Sequence, residues 1–197
     1  MLVREVMTRE AVTVTPQTSV KDALTVLEQH RITAAPVVDA ELRIQGVVSE
    51  VDLIRDLVPT DQRTHAWPNQ QAPTDRPRSV VDVMTTLPVT VGPNTDVAAA
   101  IELMTTLNIK SVPVVGHDHR VLGMLSRSDI VRVLAQSDDE LERQVDAVLA
   151  EVGLGDWEVT VTDGAVQLTG PEDSPYRMTA RAVAESVPGV VDVQVRP

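Results

Sequence analysis

Apolar positions along the first two thirds of the chain switch between strand and helix spacing, and the whole pattern occurs twice. Val12–Thr15 is a β-branched run stopped by Pro16, and Ser19 opens a segment whose Val20, Ala23, Leu24 and Leu27 share one helical face. Ala35–Asp39 and Ile44–Ser49 read as two strands joined by a polar turn at Ala40–Arg43, and a helix from Ser49 carries Leu53, Ile54 and Leu57. An offset of 77 residues then lays residues 2–58 on 79–135 without a gap, with 21 of 57 positions identical. The second copy predicts a strand at Val89–Val91 and a helix through Val97, Ala100, Ile101 and Met104. Strands at Ser111–Val115 and Val121–Leu125 follow, and then a helix from Ser126. Each copy is a β-α-β-β-α unit too small to bury its own sheet, so the two are expected to pack sheet to sheet.

Residues 59–78 hold four prolines and no sustained period, which predicts a surface linker with Trp67 docking it. Beyond it the pattern changes. Asp138–Val152 has Leu141, Val145, Val148 and Leu149 at helical spacing, with acidic residues in the first turn where the helix dipole favours them. Val159 and Val161 alternate with threonines, Asp163-Gly164 is a hairpin turn, and Val166 and Leu168 alternate up to Gly170. A helix over Tyr176–Val187 and a strand over Val190–Val195 complete an α-β-β-α-β order. The expected organisation is a first repeat at 1–58, a linker at 59–78, a second repeat at 79–137 and a separate domain at 138–197, all of mixed α/β (α+β) class.

Composition narrows the chemistry. Seventeen Lys and Arg stand against 29 Asp and Glu, a net charge of −12, which argues against a protein that coats phosphate backbones. Most of that charge is local: residues 138–197 carry 4 basic and 13 acidic side chains. The repeats are nearly neutral and keep no electrostatic veto against one small phosphate ligand, whereas the tail points to a basic protein surface as its partner. Cysteine is absent, which removes disulfides, thiolate nucleophiles and sulfur-based zinc sites. Charges interrupt the first ten residues, no stretch is long and apolar enough for a membrane span, and a soluble cytoplasmic protein is expected.

The strongest constellation is Gly-x-x-Ser-x-x-Asp, present as Gly46, Ser49, Asp52 and as Gly123, Ser126, Asp129. Glycine at a strand end admits a ligand or a neighbouring backbone, and serine as N-cap presents a helix N-terminus suited to phosphate. An aspartate on the first turn can accept from the paired hydroxyls of a ribose. The competing reading is a capping box, in which Ser and Asp satisfy only the helix. His117-Asp118-His119 falls in a turn between strands and reads as a solvated turn. Met7 and Met84 read as core. No nucleophile stands beside a base in any hydrolase pattern, so no catalytic residue is assigned.

With the duplicated Val-Met-Thr, Val-Thr-Val-x-Pro and Pro-Val-Val segments and both Gly-x-x-Ser-x-x-Asp motifs, residues 2–135 resemble a tandem pair of CBS domains. The resemblance implies a pseudo-twofold module with two clefts that in many members bind adenosine nucleotides. Thr13 and Thr90 then border the base, Ala35-Pro36 and Val112-Pro113 form apolar walls, and Asp52 and Asp129 hold ribose. Ser49 and Ser126 cap the helices, and Lys110-Ser111 occupy places where the family carries phosphate contacts. Arg127 follows Ser126 where Glu50 follows Ser49, so the Asp129 cleft is the preferred nucleotide site. The resemblance further implies a homodimer, no required cofactor, and ATP, ADP, AMP or S-adenosylmethionine as ligand.

Residues 138–197 resemble a BON domain through Asp163-Gly164-x-Val166-x-Leu168-x-Gly170 and Val187-Pro188-Gly189-Val190-Val191-x-Val193. That family is linked to phospholipid or protein contacts; the acidic surface speaks against membrane contact here and for an unidentified protein partner. The expected function is a non-catalytic sensor of an adenosine nucleotide, with a structural adaptor that dimerises without nucleotide as the alternative.

Overall fold

A computed structural model describes residues 1–55, 77–171 and 174–196. The linker, Trp67 and Leu57 therefore lie outside the described residues, apart from 77–78. Secondary structure runs α1 (Val3–Val6), β1 (Thr8–Arg9), α2 (Val20–His30), β2 (Ala34–Val38), β3 (Ile44–Ser49) and α3 (Glu50–Ile54). A 3-10 turn (Val80–Asp82), α4 (Val97–Thr106), β4 (Ser111–Val115), β5 (Val121–Ser126) and α5 (Arg127–Leu134) follow. The chain ends with α6 (Asp138–Glu151), β6 (Glu158–Thr162), β7 (Ala165–Thr169), α7 (Arg177–Glu185) and β8 (Asp192–Arg196). It divides into two compact units.

One unit comprises Thr8–Pro93 and Met104–Leu125. Here β2 and β3 form an antiparallel hairpin with Ala34 opposite Ser49 and Pro36 opposite Val47, packed on Val20, Ala23 and Leu27 of α2 and on Leu53 of α3. The hairpin is extended by a segment of the other repeat: Val47 N–H donates to the Thr85 carbonyl at 3.0 Å and Thr85 N–H to the Val47 carbonyl at 2.9 Å. Reciprocally, Thr8 and Arg9 of the first repeat pair with Met124 and Gly123 of β5, in a sheet of order β1-β5-β4. The repeats also meet at their hairpin turns, where Ile44 N–H donates to the His119 carbonyl and Val121 N–H to the Leu42 carbonyl, both at 3.0 Å.

The strands expected at Val12–Thr15 and Val89–Val91 shrink to single parallel bridges, Val14 to Val37 and Val91 to Val114. Val14 donates to the Pro36 carbonyl and accepts from Val38 N–H. Thr15 N–H then turns to the Thr18 hydroxyl at 3.0 Å, and Pro16 has no N–H with which to continue a ladder. The short α1, β1 and 3-10 turn are too brief to carry a period, and the sequence reading passes over them.

The other unit comprises Met1–Met7, Asn94–Leu103 and Ser126–Pro197. The start of the chain lies along the entry to α4, with Val3 N–H on the Thr95 carbonyl at 2.9 Å and Val97 N–H on the Met1 carbonyl at 3.1 Å. Residues 138–196 realise the expected α-β-β-α-β order. Strands β6 and β7 are antiparallel, β7 and β8 parallel, and α6 and α7 bury Leu141, Val145, Leu149, Ala180 and Ala184 against Val159, Val161, Val166, Leu168 and Val193. Asp163 and Gly164 both adopt positive φ, 50° and 75°, the geometry that suits a two-residue hairpin to strand twist. The first residue of α6 fixes that turn: Asp138 carboxylate oxygens accept from Asp163 and Gly164 N–H, each at 2.9 Å.

Two expected outcomes test this description. A β-carbon at Gly46 would stand 2.7 Å from the Thr85 carbonyl oxygen, which the exchanged strand holds in place, so Gly46→Ala should destabilise by about 1–3 kcal/mol, read as a lower urea midpoint. Asp82, at the 3-10 turn, accepts from Ser79 and Arg78 N–H and from the Ser79 hydroxyl, which holds its carboxyl below the ordinary 3.8. A lowered folded value stabilises above the ordinary one, so the midpoint difference between wild type and Asp82→Ala should be full above pH 3.8 and vanish as pH falls through the folded value.

Candidate functional site

The first repeat's candidate residues all fall in one unit. Thr13, half-buried, precedes Val14, whose bridge to β2 places it beside the buried Ala35 and Pro36. Ala34 lies opposite Ser49, so β2 and β3 end together where α3 begins. Asp52 then closes back on the cap: its Oδ2 accepts from Ser49 N–H at 2.9 Å and from the Ser49 hydroxyl at 2.6 Å. Among the described residues its Oδ1 accepts no hydrogen bond. The helix end is less open to phosphate than a bare N-cap implies. Glu50 N–H is taken by the Thr33 carbonyl at 2.9 Å, and Asp52 N–H faces the Ser49 hydroxyl at 3.4 Å.

Lys110, of the second repeat, stands here as well, its Nζ 3.6 Å from Glu50 Oε1. The sequence reading set Glu50 against Arg127 in preferring the Asp129 cleft. The structure supplies Glu50 with a cation, and both side chains are exposed enough to exchange partners. In the same unit Ser111 is half-buried, Val112 and Pro113 are buried on β4, and the half-buried Thr90 precedes Val91, whose N–H donates to the Pro113 carbonyl at 3.0 Å.

Ser126, Arg127 and Asp129 belong to the other unit, where the same box forms with a tighter carboxylate. Asp129 is 4% exposed, and its Oδ2 accepts from Ser126 N–H at 2.8 Å and the Ser126 hydroxyl at 2.6 Å. Its Oδ1 is held by Arg132 Nη2 at 2.6 Å, an i,i+3 pair on α5. Arg55 is the repeat equivalent of Arg132, yet it makes no ion pair with Asp52. Arg127 is exposed. Sequence reasoning passed over Arg132, although its place three residues after Asp129 on one helix was a usable signal.

Gly46 answers to a neighbouring backbone rather than a ligand, since the space above it holds Thr85 and Met84. His119 sits at positive φ in the β4–β5 turn, and Asp118 pairs with Arg120 at 3.4 Å. Among the described residues no group of three His, Asp or Glu is arranged to hold a metal, and no helix is long and apolar enough to cross a membrane.

Two exchanged repeats, each ending an apolar hairpin in a Ser/Asp-boxed helix start, define a duplicated module. The CBS domain model matches residues 3–59 and 80–136, more than half of the chain, and this protein belongs to the CBS-domain family. It is similar to the chloroplastic CBS domain-containing protein CBSX2 of Arabidopsis thaliana, 32% identical over 144 residues, covering 66% of this chain and 60% of that protein. The solved structure of CBSX2 in complex with AMP is similar with a TM-score of 0.54 and 30% identity over 66% of this chain and 93% of that one. The CBS domain pair of protein MJ0100, solved with 5′-methylthioadenosine and S-adenosyl-L-methionine, shares the fold, with a TM-score of 0.55 and 24% identity over 67% of this chain and 94% of that one. Inosine-5′-monophosphate dehydrogenase of Methanocaldococcus jannaschii is 27% identical over 128 residues, 65% of this chain but 22% of that enzyme's length.

The unequal boxes should differ in stability. Asp129→Ala removes a charge-assisted bond and leaves the Ser126 N–H unpaired, at a cost of about 1.5–3 kcal/mol, whereas the half-buried Asp52→Ala should cost less. Urea midpoints of the two variants check the order.

Proposed function

We propose that this protein is a non-catalytic regulatory protein whose CBS pair binds an adenosine nucleotide or adenosyl ligand. What carries the reading is one arrangement in a chain 30% identical to an AMP-bound relative: the buried Ala35-Pro36 strand ends beside Asp52, whose Oδ1 accepts from no described residue, with Lys110 at hand. The ribose diol donates to Asp52, Thr13 and the Ala35-Pro36 wall border the base, and Ser49 keeps the carboxylate oriented. Lys110 exchanges Glu50 for phosphate, helped by Ser111. Along the repeat, Thr90, Val112, Pro113, Ser126 and Asp129 are the equivalents of Thr13, Ala35, Pro36, Ser49 and Asp52. Arg127 in place of Glu50 favours phosphate there, and Arg132 must first release Asp129. The ligand class is ATP, ADP, AMP or S-adenosylmethionine, and no cofactor is required.

The domain plan that goes with this reading is a first repeat at 1–58, a linker at 59–78, a second repeat at 79–137 and a BON-like domain at 138–197. Its elements run in the expected order, and its acidic surface suits a basic protein partner rather than a membrane or nucleic acid. The protein acts in the cytoplasm as a homodimer. Ligand changes its state only through unequal affinity for two conformations.

One observation favours a second reading, a structural adaptor with no physiological nucleotide: in both repeats Ser and Asp satisfy each other across the helix start, as a capping box does. Calorimetric titration of the full chain with each of the four ligands separates the two. Saturable binding tighter than about 1 mM, equivalent to about −4 kcal/mol, is expected for at least one of them. Asp52→Ala or Asp129→Ala should weaken it at least about ten-fold, or about 1.4 kcal/mol. No binding tighter than that limit, or no loss in either variant, leaves the adaptor.

A further inference from the structure

We infer that the open edge of β8 pairs with β8 of a second copy of this chain, antiparallel and centred on Gln194, joining two three-stranded sheets into one of six. The sheet order β6-β7-β8 leaves β8 at an edge, with β7 as its single strand neighbour among the described residues. Beside it lies a groove of about 460 Å³ lined by Arg177, Met178 and Arg181 of α7 and by four successive residues, Asp192–Val195. Successive strand residues point to opposite faces, so a groove that touches four in a row runs along the strand's edge, where the Val195 carbonyl accepts from Arg177 Nη2 at 3.4 Å, a side-chain contact that the second strand would replace.

The strand reads Asp-Val-Gln-Val-Arg, charge-complementary to itself when reversed. Centred on Gln194, antiparallel pairing sets Asp192 of each copy against Arg196 of the other and Val193 against Val195, so the apolar face continues across the junction. Slipping by two residues, to the next register that keeps the faces, loses both charge pairs. Asp192, Gln194 and Arg196 are exposed, and Asp192 lies near enough to Arg181 of α7 to help raise that guanidinium's pKa, after Glu185, without a close ion pair. The opposite edge differs: β6 reversed on itself sets Glu158 against Thr162, which specifies nothing. A twofold junction at β8 also brings the second copy's α7 alongside and covers Met178, which is 75% exposed. This inference concerns residues 177–196 and stands or falls independently of nucleotide binding.

The chain has no cysteine, so one introduced thiol reports position without background. In the centred register the two Gln194 residues face each other at about 4.5–5.5 Å between Cα atoms, within disulfide reach. Oxidation of full-length Gln194→Cys at micromolar concentration should give a covalent dimer at least about ten-fold faster than Thr160→Cys, an exposed thiol on β6. Asp192→Cys alone should resemble that control, but mixed with Arg196→Cys it should cross-link. In the Gln194→Cys background, Asp192→Arg or Arg196→Asp should each slow cross-linking, and the two together should restore it. Equal rates at positions 194 and 160, or failure of the double reversal to restore the rate, would overturn the pairing and leave the charges as protection of a lone edge.

Discussion

The exchange of short segments between repeats is the constraint on which the CBS pair depends. A two-stranded hairpin on its own is marginal in water, and neither repeat builds more than that from its central residues. Thr85 of the second repeat completes the edge at Val47, and Thr8–Arg9 of the first completes the edge at β5. Each repeat therefore holds a backbone partner that the other cannot do without, and the tandem arrangement follows as a condition of stability. Gly46 shows how tightly the exchange is built, since the Thr85 carbonyl occupies the space of its missing side chain.

The same economy shapes the candidate site. Asp52 and Asp129 hold the first turn of a helix, because a helix start leaves N–H groups that need an acceptor. A carboxylate has two oxygens, and this division of labour leaves the second free to differ between repeats. On Asp129 it is taken by Arg132; on Asp52 no described residue donates to it. Near-identical motifs thus arrive at unequal surroundings, and the inequality comes from neighbours rather than from the motif. Lys110 adds to it by crossing from the second repeat to Glu50 of the first.

In the last third, charge and topology act together. Thirteen acidic side chains dominate residues 138–197, yet three of the four basic ones, Arg177, Arg181 and Arg196, lie on α7 and β8. A stretch whose net charge is strongly acidic thus carries both signs along one strand edge, Asp192 and Arg196. Asp138, at the head of the acidic helix, serves the fold by holding the Asp163-Gly164 turn.

Much of this was written in local spacing. The repeat at an offset of 77, the helices at α2, α4, α6 and α7, the hairpin strands at β2 to β5 and the Asp163-Gly164 turn follow from periods and turn residues that act within a few positions. So does the Ser/Asp box, whose partners are three residues apart. Tertiary structure alone decided that Val12–Thr15 makes a single bridge, that Thr85 and Thr8–Arg9 change places, that Lys110 answers Glu50, and that β8 is left at an edge. Each of these joins residues far apart in sequence or depends on which strand has no further neighbour. Such outcomes are set by packing across the whole chain, which no local period encodes.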